Sequence, residues 1–311
     1  MSKTAFLFPG QGSQAIGMGE DLYNNFEIAR DILDSASEAT NIDFKELLFK
    51  ENDNLAKTEF TQPAILLVSL MAQKVFEDEL PLKPTYALGH SLGELSALAA
   101  VNALTINDAV ALVNKRGSLM AKACENQEVG MLVSLGLSDE VVESVCQEQR
   151  DSGKQVWAVN YNTDGQIVIA GIKADLIELE PKLKEAGARR AMLLNMSVAS
   201  HCPLLQSAVE PLKEELSKVI KDDFLAPVIS NVTAKAYSSK EEALELLPQQ
   251  LIMPVLYKQS ILNIDSDIDF YIEFGHGNVL KGLNKKLTKK PHFNVSNAKT
   301  LEATIKSIGE L

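Results

Sequence analysis

The sequence contains few cysteines and no long apolar run. Its three cysteines, Cys124, Cys146 and Cys202, are scattered and show no C-x-x-C spacing, so neither a disulfide framework nor a zinc or redox site is indicated. No segment approaches the ~18 consecutive apolar residues of a transmembrane helix. The initial MSKTAFLFPGQG also lacks the basic and long apolar regions of a signal peptide. These absences predict a cytoplasmic protein that binds neither a metal nor a membrane.

Positive charge is also in short supply. With 30 Lys and Arg against 42 Asp and Glu, the formal net charge is -12, which on average repels polyanions and argues against nucleic-acid binding. The stretch VLKGLNKKLTKKPH is a local exception, and we predict that its lysines share a helical face and the C-terminal end of that helix. Such a cluster is either a solvated helix end or a surface that attracts an anionic partner. The lysines are Lys281, Lys285, Lys286, Lys289 and Lys290.

Strand patterns at both ends of the chain enclose a different pattern in the middle. TAFLF (4–8), TYALG (85–89), APVISNV (226–232) and DFYIEFG (269–275) are predicted to be buried strands. Residues 130–195 follow the order βαββαβ, which is typical of the ferredoxin-like module. We therefore predict an α/β fold with a parallel sheet in a large domain, residues 1–126 and 198–311. A small ferredoxin-like subdomain, residues 127–197, is inserted into it.

The segment ALGHSLGELSALAA, residues 87–100, places Ser91 between two glycines. Gly89-His90-Ser91-Leu92-Gly93 matches the G-x-S-x-G nucleophile elbow, in which strand and helix approach closely and the serine projects at the helix N-terminus. Backbone N–H groups there stabilise developing negative charge. The strand before the motif and the helical pattern after it favour this interpretation over a glycine-rich turn with a capping serine. We predict that Ser91 is a nucleophile in an α/β-hydrolase-like domain.

A nucleophilic serine needs a base, and the chain has only four histidines. His90 adjoins Ser91 and would have difficulty folding back onto its neighbour's oxygen. His276 and His292 are predicted to lie in surface turns near the C-terminus. His201, in MSVASHCP, follows the last strand of the inserted module, where a hinge would place it at the cleft between the domains. His201 is therefore favoured as the base, and His276 remains the alternative.

Two further segments could complete such a site. FPGQGSQA follows the first strand and formally satisfies G-x-G-x-x-A, but dinucleotide binding also requires an acidic residue after a second strand. The corresponding region, around Asp31 and Asp34, has a helical pattern, so the loop is better suited to offer backbone N–H groups to an oxyanion. Arg116, in VALVNKRGSLM, is either an exposed helical arginine or a guanidinium fork for a substrate carboxylate.

Together these segments resemble the malonyl-CoA:acyl carrier protein transacylases of bacterial fatty-acid synthesis. Seven motifs occur in the family's order and approximate spacing and span nearly the whole chain. They are FPGQGSQ, GHSLGE, KRGSLM, NYNTDGQIVIAG, SVASH, QLIMPV and EFGHGNVLKGL. Each motif alone is weak, whereas seven in order are hard to produce by chance. The order Ser before His, without a late Asp before the histidine, also suits this family better than the α/β-hydrolases.

The resemblance implies catalytic roles for the matching residues. Ser91 would accept the acyl group, and His201 would act as its general base and acid. The backbone N–H groups of Gln11 and Leu92 would form the oxyanion hole. This family orients its histidine with a backbone carbonyl instead of an Asp, and Gln250 occupies the matching position, which would explain the missing acid.

The resemblance also implies the substrates. Arg116 would pair with the free carboxylate of malonate, and the malonyl group would pass from malonyl-CoA through a malonyl-serine to the phosphopantetheine thiol of acyl carrier protein. The enzyme itself would need no cofactor. Because CoA and the carrier protein are both anionic, Lys281, Lys285, Lys286 and Lys289 are expected to form a docking patch for them.

Departures from the family pattern occur at Asp164, Ala199, Tyr257 and His276, none of which matches a catalytic position. The alternative enzymes are a serine thioesterase or hydrolase, which would share Ser91 and His201 but pass the acyl group to water, and an acyltransferase for another acyl-CoA. A non-catalytic interaction protein on the same fold, with the inserted module as its docking surface, is the alternative outside enzymes.

Overall fold

Two separate β-sheets organise the chain, which the computed structural model describes over residues 2–196 and 198–311. Within these ranges the strands are β1 (Thr4–Phe8), β2 (Tyr86–Gly89), β3 (Val129–Leu135), β4 (Val156–Thr163), β5 (Gln166–Ile172), β6 (Arg190–Leu193), β7 (Val228–Ile229), β8 (Ala236–Tyr237), β9 (Phe270–Phe274) and β10 (His292–Val295). The helices are α1 (Glu20–Asn25), α2 (Glu27–Thr40), α3 (Phe44–Phe49), α4 (Thr58–Glu79), α5 (Gly93–Ala100), α6 (Ile106–Cys124), α7 (Asp139–Asp151), α8 (Lys173–Glu185), α9 (Val209–Val219), α10 (Lys240–Gln249), α11 (Tyr257–Ile264), α12 (Val279–Asn284) and α13 (Ala298–Gly309).

The first sheet has six strands in the order β10-β9-β1-β2-β7-β8. All neighbours in it pair in parallel except β7 and β8, which are antiparallel. The central strand β1 is buried along its whole length, as its continuous apolar sequence predicts for a strand covered on both faces. This mixed sheet gives the chain the α/β class predicted from the sequence.

The parallel strands direct four loops to one edge of the first sheet. Because adjacent parallel strands end at the same edge, the segments that follow β1, β2, β7 and β9 emerge side by side. These segments carry Gln11, Ser91, Asn231 and His276, respectively. The glycine-rich loop and the Ser91 turn, more than 70 residues apart in sequence, therefore become neighbours.

The second sheet is antiparallel throughout, with the strand order β4-β5-β3-β6. The elements follow the predicted βαββαβ order, and α7 and α8 pack against the sheet. The edge strand β4 bonds to the segment between α10 and α11. The Val255 N–H donates to the Val159 carbonyl, and the Tyr161 N–H donates to the Val255 carbonyl. Ser197, at the predicted domain boundary and in the SVASH motif, lies outside the described residues, and the domain limits stay a prediction.

Helix α4 is buried on nearly all sides from Thr58 to Phe76, because α2, α6 and strand β9 surround it. Gly117 brings α6 close to it. A Cβ at this glycine would lie 2.6 Å from the Cα of Glu59, so only glycine permits this approach of the two helix backbones. The contact brings Arg116, the neighbour of this glycine, beside Gln62 of α4. In the described ranges, no helix is both long and apolar enough to cross a membrane.

The structure corrects the prediction that the C-terminal lysines share one helix. Helix α12 ends at Asn284, and Lys285, Lys286 and Lys289 are exposed in the turns that follow. The backbone tightens into turns there, since the Lys286 and Leu287 N–H groups donate to carbonyls three residues back, and Pro291 disfavours helical angles at Lys290. Lys290 is partly buried, and its Nζ donates to backbone carbonyls in the segment before β9, those of residues 265 and 268.

The prediction that His292 lies in a surface turn is also wrong. This residue begins β10, which pairs with β9. Its ring stacks on that of Tyr271, with 5.7 Å between the ring centroids. The strand HFNV is only four residues long and follows the polar stretch TKKP. Its few apolar residues were not enough to predict a strand.

Candidate active site

Ser91 projects from a sharp turn between β2 and α5. Its φ of 53° lies in the left-handed region, which costs a non-glycine residue about 1–3 kcal/mol. Asn231 holds the turn on both sides: its Oδ1 accepts from the Ser91 N–H, and its Nδ2 donates to the Gly89 carbonyl, each at 2.7 Å. Glycine is required at position 93 because a Cβ there would lie 2.0 Å from the carbonyl oxygen of Phe8. Close packing of the turn on β1 thus fixes the serine at the edge of the sheet.

His201 reaches the same point from the segment that follows the second sheet. Its side chain is buried, and its Nε2 lies 2.8 Å from Ser91 Oγ. Its Nδ1 lies 2.6 Å from the backbone carbonyl oxygen of Gln250. A carbonyl oxygen only accepts hydrogen bonds, so Nδ1 carries the proton and Nε2 presents its lone pair to the serine hydroxyl. This arrangement suits proton transfer from Ser91 without an acidic residue beside the histidine.

Arg116 lies next to this pair and is only 1% exposed. Its Nη1 donates to Gln62 Oε1 at 2.7 Å, and its Nη2 donates to Gln250 Oε1 at 3.0 Å. The same Nη2 is 3.4 Å from Ser91 Oγ. The structure therefore excludes the exposed helical arginine considered from the sequence, and places a fixed guanidinium beside the serine.

The two residues predicted to form an oxyanion hole come from different segments. Gln11, in the loop after β1, and Leu92, at the start of α5, both line the cavity that contains Ser91. In the described part of the chain, neither N–H donates to another protein group, whereas the Ser91 N–H is already bonded to Asn231. The N–H groups of Gln11 and Leu92 therefore have no protein acceptor in the described residues, and their role as an oxyanion hole stays a prediction.

The cavity lies between the two sheets and has a volume of about 170 Å³. The first sheet and its helices contribute the reactive and charged groups. Apolar side chains and amides contribute most of the remaining wall. These lining residues include Met120, Met131, Asn160, Asn162, Gln166, Val168, Leu194, Met196, Leu280 and Leu283.

The other histidines have different positions. His90 lines the cavity, but its Nε2 lies 2.7 Å from Asn162 Oδ1 on β4, so it links the elbow to the second sheet. His276 lies in a separate groove beyond α12, together with Lys281 and Asn297. Among the described histidines, only His201 is within hydrogen-bond distance of Ser91 Oγ, as the hinge argument predicts.

Comparison with known proteins agrees with this geometry. The family described as "Acyl transferase domain" matches residues 5–305, and the malonyl CoA-acyl carrier protein transacylase of Bacillus subtilis (strain 168) is 40% identical over 314 residues, covering 100% of this chain and 98% of the relative. The chain belongs to the acyl transferase family. The predicted resemblance is thereby confirmed, and the protein is an acyltransferase enzyme.

Solved structures of this family have nearly the same fold. The malonyl-CoA:acyl carrier protein transacylase of Helicobacter pylori is 44% identical with a TM-score of 0.96, and the match covers 100% of this chain and 99% of that one. A malonyl-transacylase solved in complex with a type II PKS acyl-carrier protein is 34% identical with a TM-score of 0.95, covering 98% of this chain and 100% of the other. The likeness thus spans both sheets.

Sequence reasoning missed several polar residues that support this acyltransferase site. Asn231 and Gln62 contact the elbow and the guanidinium, respectively, and Glu94 bonds to Gln250 Nε2 at 2.6 Å. Glu94 could have been found, because it ends the GHSLGE motif and a carboxylate is unusual on a helix that is otherwise wholly buried. Asn231 and Gln62 gave no such signal, since their partners are far away in sequence.

Burial sets the protonation of the site. It lowers the pKa of His201 to about 3, assisted by the positive charge of Arg116. The imidazole is therefore neutral near pH ~7 and able to accept a proton. Burial also lowers the pKa of Arg116 to about 10, opposed by the charge of Glu94, and the guanidinium stays cationic. Burial raises the pKa of Glu94 to about 7, opposed by the hydrogen bonds that it accepts.

We predict that Arg116→Gln raises the pKa of His201. Removing a positive charge beside the imidazole favours its protonated form, so part of the depression should be lost. The pKa is measured from the NMR shift of the His201 Cε1–H proton over about pH 2–8, with His201→Asn used to assign the signal. Arg30→Gln, which removes the same charge on α2, should leave the pKa unchanged, and an unaltered pKa in Arg116→Gln would contradict the prediction.

Proposed function

We propose that this chain transfers the malonyl group from malonyl-CoA to the phosphopantetheine thiol of acyl carrier protein and so supplies fatty-acid elongation. The observation that carries the proposal is the fixed guanidinium of Arg116 beside a serine–histidine pair. A free carboxylate on the acyl group matches this guanidinium in charge and geometry. The named activity of the relatives in this family supports the same substrate and acceptor.

In the first half of the reaction, Ser91 Oγ attacks the thioester carbonyl of malonyl-CoA while His201 Nε2 accepts the hydroxyl proton. The carbonyl oxygen becomes an oxyanion that the N–H groups of Gln11 and Leu92 hold, and each donor contributes about 3–4 kcal/mol to lowering the barrier. The C–S bond then breaks, and the CoA sulfur takes the proton from His201. The Gln250 carbonyl keeps the imidazole oriented throughout by its bond to Nδ1–H. The product is a malonyl ester of Ser91.

In the second half, the carrier-protein thiol repeats this chemistry in reverse. His201 Nε2 accepts the thiol proton as the sulfur attacks the ester carbonyl, and the same two N–H groups hold the oxyanion. The Ser91 oxygen leaves with the proton from His201, which restores the free enzyme. Such ping-pong transfer uses one nucleophile and one base for both thioesters. The enzyme needs no cofactor of its own, because the phosphopantetheine belongs to the partner.

We also propose the limits and the fold type of the two domains. Residues 1–126 and 198–311 form an α/β-hydrolase-like domain, for which the parallel strands and the elbow between β2 and α5 are the support. Residues 127–197 form a ferredoxin-like subdomain, supported by the strand order β4-β5-β3-β6 and its βαββαβ connectivity. We also propose that the enzyme is cytoplasmic.

The proposed docking patch consists of Lys281, Lys285, Lys286 and Lys289. Lys285 and Lys286 follow directly on α12, and Leu280 and Leu283 of that helix line the cavity. A negatively charged carrier protein bound there would hold its phosphopantetheine arm close to Ser91. Lys281 is partly buried at the adjoining groove, so the exposed members of the patch lie beyond the helix end.

Malonyl-CoA alone should add one malonyl group to each enzyme molecule, on Ser91. The adduct is detected by intact-protein mass spectrometry after an acid quench and located by peptide mapping, and Ser91→Ala should show none. Adding holo carrier protein should speed CoA release and move malonate to its thiol. Equal CoA release with and without carrier protein would identify a hydrolase, and a wild-type enzyme without any adduct would identify a non-catalytic protein.

Arg116→Gln should reduce the preference for malonyl-CoA over acetyl-CoA. A hydrogen bond to a charged group contributes about 1.5–3 kcal/mol, so the ratio of the two acylation rates should fall by about tenfold to a hundredfold. The ratio is measured by competition between the two thioesters in the mass assay. Arg30→Gln should keep the wild-type ratio. An unchanged ratio in Arg116→Gln would mean that another group binds the carboxylate.

Reversing the charge of the patch should weaken carrier-protein binding. The double variant Lys285→Glu and Lys286→Glu should raise the KM for carrier protein, more strongly at low ionic strength because salt screens the attraction. The rate of acylation by malonyl-CoA alone, a step without carrier protein, shows whether the double variant has lost activity at the cavity. The matched control is Lys213→Glu with Lys218→Glu on α9, which changes the net charge equally but contributes no residue to the cavity. Equal KM values for the two double variants would exclude this docking patch.

A further inference from the structure

Glu94 is a carboxylate buried directly behind the reactive serine. It lies in the first turn of α5 and is 1% exposed. Its Oε2 accepts from Gln250 Nε2 at 2.6 Å and from the Asn231 N–H at 3.0 Å. Its Oε1 accepts from the Tyr237 hydroxyl at 3.0 Å. The mechanism above gives this carboxylate no role, and it does not line the cavity.

Gln250 connects this carboxylate to the reacting groups. Its backbone oxygen binds His201 Nδ1, and its side-chain Oε1 accepts from Arg116 Nη2. Its Nε2 also donates to the Ser91 carbonyl oxygen at 3.0 Å. Gln250 is the residue after α10, so its carbonyl and side chain are free of helical hydrogen bonds and need other contacts to hold them in place.

We propose that Glu94 is a positioning residue that fixes Gln250, and through it both the His201 imidazole and the Arg116 guanidinium. This inference rests on the acyl-transfer function proposed above. The 2.6 Å bond from Gln250 Nε2 to the carboxylate is short enough to be a strong anchor. One buried side chain thereby couples the base of the reaction to the group that selects the acyl chain.

Burial of this carboxylate is costly, which argues against an incidental role. A charged group away from water is tolerated only where it is paired and hydrogen-bonded. The groups that face Glu94 are Tyr237, Asn231, Gln250 and the positive charge of Arg116, and despite them burial raises its pKa to about 7. A well-packed apolar side chain on α5 would avoid that cost but leave the Gln250 Nε2 with only one of its two acceptors, the Ser91 carbonyl oxygen.

Variants at position 94 separate the hydrogen bonds from the charge. Glu94→Met keeps the volume and removes both acceptor oxygens, and Glu94→Ala removes them with the volume as well. Glu94→Gln keeps an oxygen for Gln250 and Asn231, while Tyr237 can turn its hydroxyl to accept from the new amide. The matched control is Tyr237→Phe, which deletes one hydrogen bond to the other carboxylate oxygen and keeps the volume.

The readouts are the acylation rate per active site and the ratio of malonyl-CoA to acetyl-CoA acylation. Since misplacement of a catalytic group by about 1 Å costs about 100-fold, Glu94→Met and Glu94→Ala should lose about that much rate with either thioester. Displacement of Arg116 should also lower the malonyl preference by about tenfold. Glu94→Gln should keep most of the wild-type acylation rate and malonyl preference, and Tyr237→Phe should keep the wild-type ratio. A purely structural defect lowers the amount of active enzyme but changes neither value.

A second measurement does not depend on acyl transfer. The Nδ1–H proton of His201, bonded to the Gln250 carbonyl, should give a downfield NMR signal in the wild type and in Glu94→Gln that shifts or disappears in Glu94→Met. Wild-type rate and ratio in both Glu94→Met and Glu94→Ala, or equal damage in Glu94→Gln, would overturn the inference. If the wild type forms no malonyl-serine, the proposed function fails, and an unaltered Nδ1–H signal in Glu94→Met would overturn the positioning role separately.

Discussion

The buried positive charge of Arg116 is the constraint around which the site is built. A guanidinium removed from water is stable only where oxygen atoms surround it, and two of these come from the amides of Gln62 and Gln250. Both amides must in turn be held. Glycine at position 117 lets α6 approach α4 closely enough for the first contact, and Glu94 binds the second amide. Packing at the helix crossing and polar contacts at the serine are therefore parts of one arrangement.

The same arrangement explains how a histidine works without an acidic partner. A backbone carbonyl fixes the proton on Nδ1 as a carboxylate would, but it adds no negative charge to stabilise a protonated ring. Burial and the nearby guanidinium keep the pKa of His201 low, and the hydrogen bond to the Gln250 carbonyl opposes them only in part. An imidazolium formed during proton transfer would therefore be a strong acid towards the leaving sulfur, while the neutral ring is a weaker base towards the serine hydroxyl. Both halves of the transfer use each property once, since His201 accepts a proton from the attacking group and returns it to the leaving group.

The parts of this site that sequence reasoning predicted are those with local causes. The elbow follows from five consecutive residues between a strand and a helix, and His201 follows from its place after the last strand of the insert. The roles of Gln11, Leu92 and Gln250 came from family resemblance, because a backbone N–H or a carbonyl leaves no mark on residue type. For Arg116 the residues alone left two interpretations open. The helix predicted for the C-terminal lysines failed because the chain turns after Asn284 and then leads through Pro291 into the short strand β10, which a weak charge pattern did not indicate. Contacts such as Asn231 with Ser91, 140 residues apart, depend on strand order, which one sequence does not reveal.

Backbone strain shows that the reacting groups are held in place by contacts from elsewhere. Ser91 and His201 both have left-handed φ values, 53° and 63°, a conformation that is uncommon for residues other than glycine. Each is anchored by a residue from a third segment, the serine by Asn231 and the histidine by Gln250. A strained residue relaxes unless its surroundings prevent it. These two contacts therefore hold Ser91 and His201 in their strained conformations. The 2.8 Å approach of Nε2 to Oγ is thus set by the fold before any substrate binds, which lowers the entropy that the first transfer must lose.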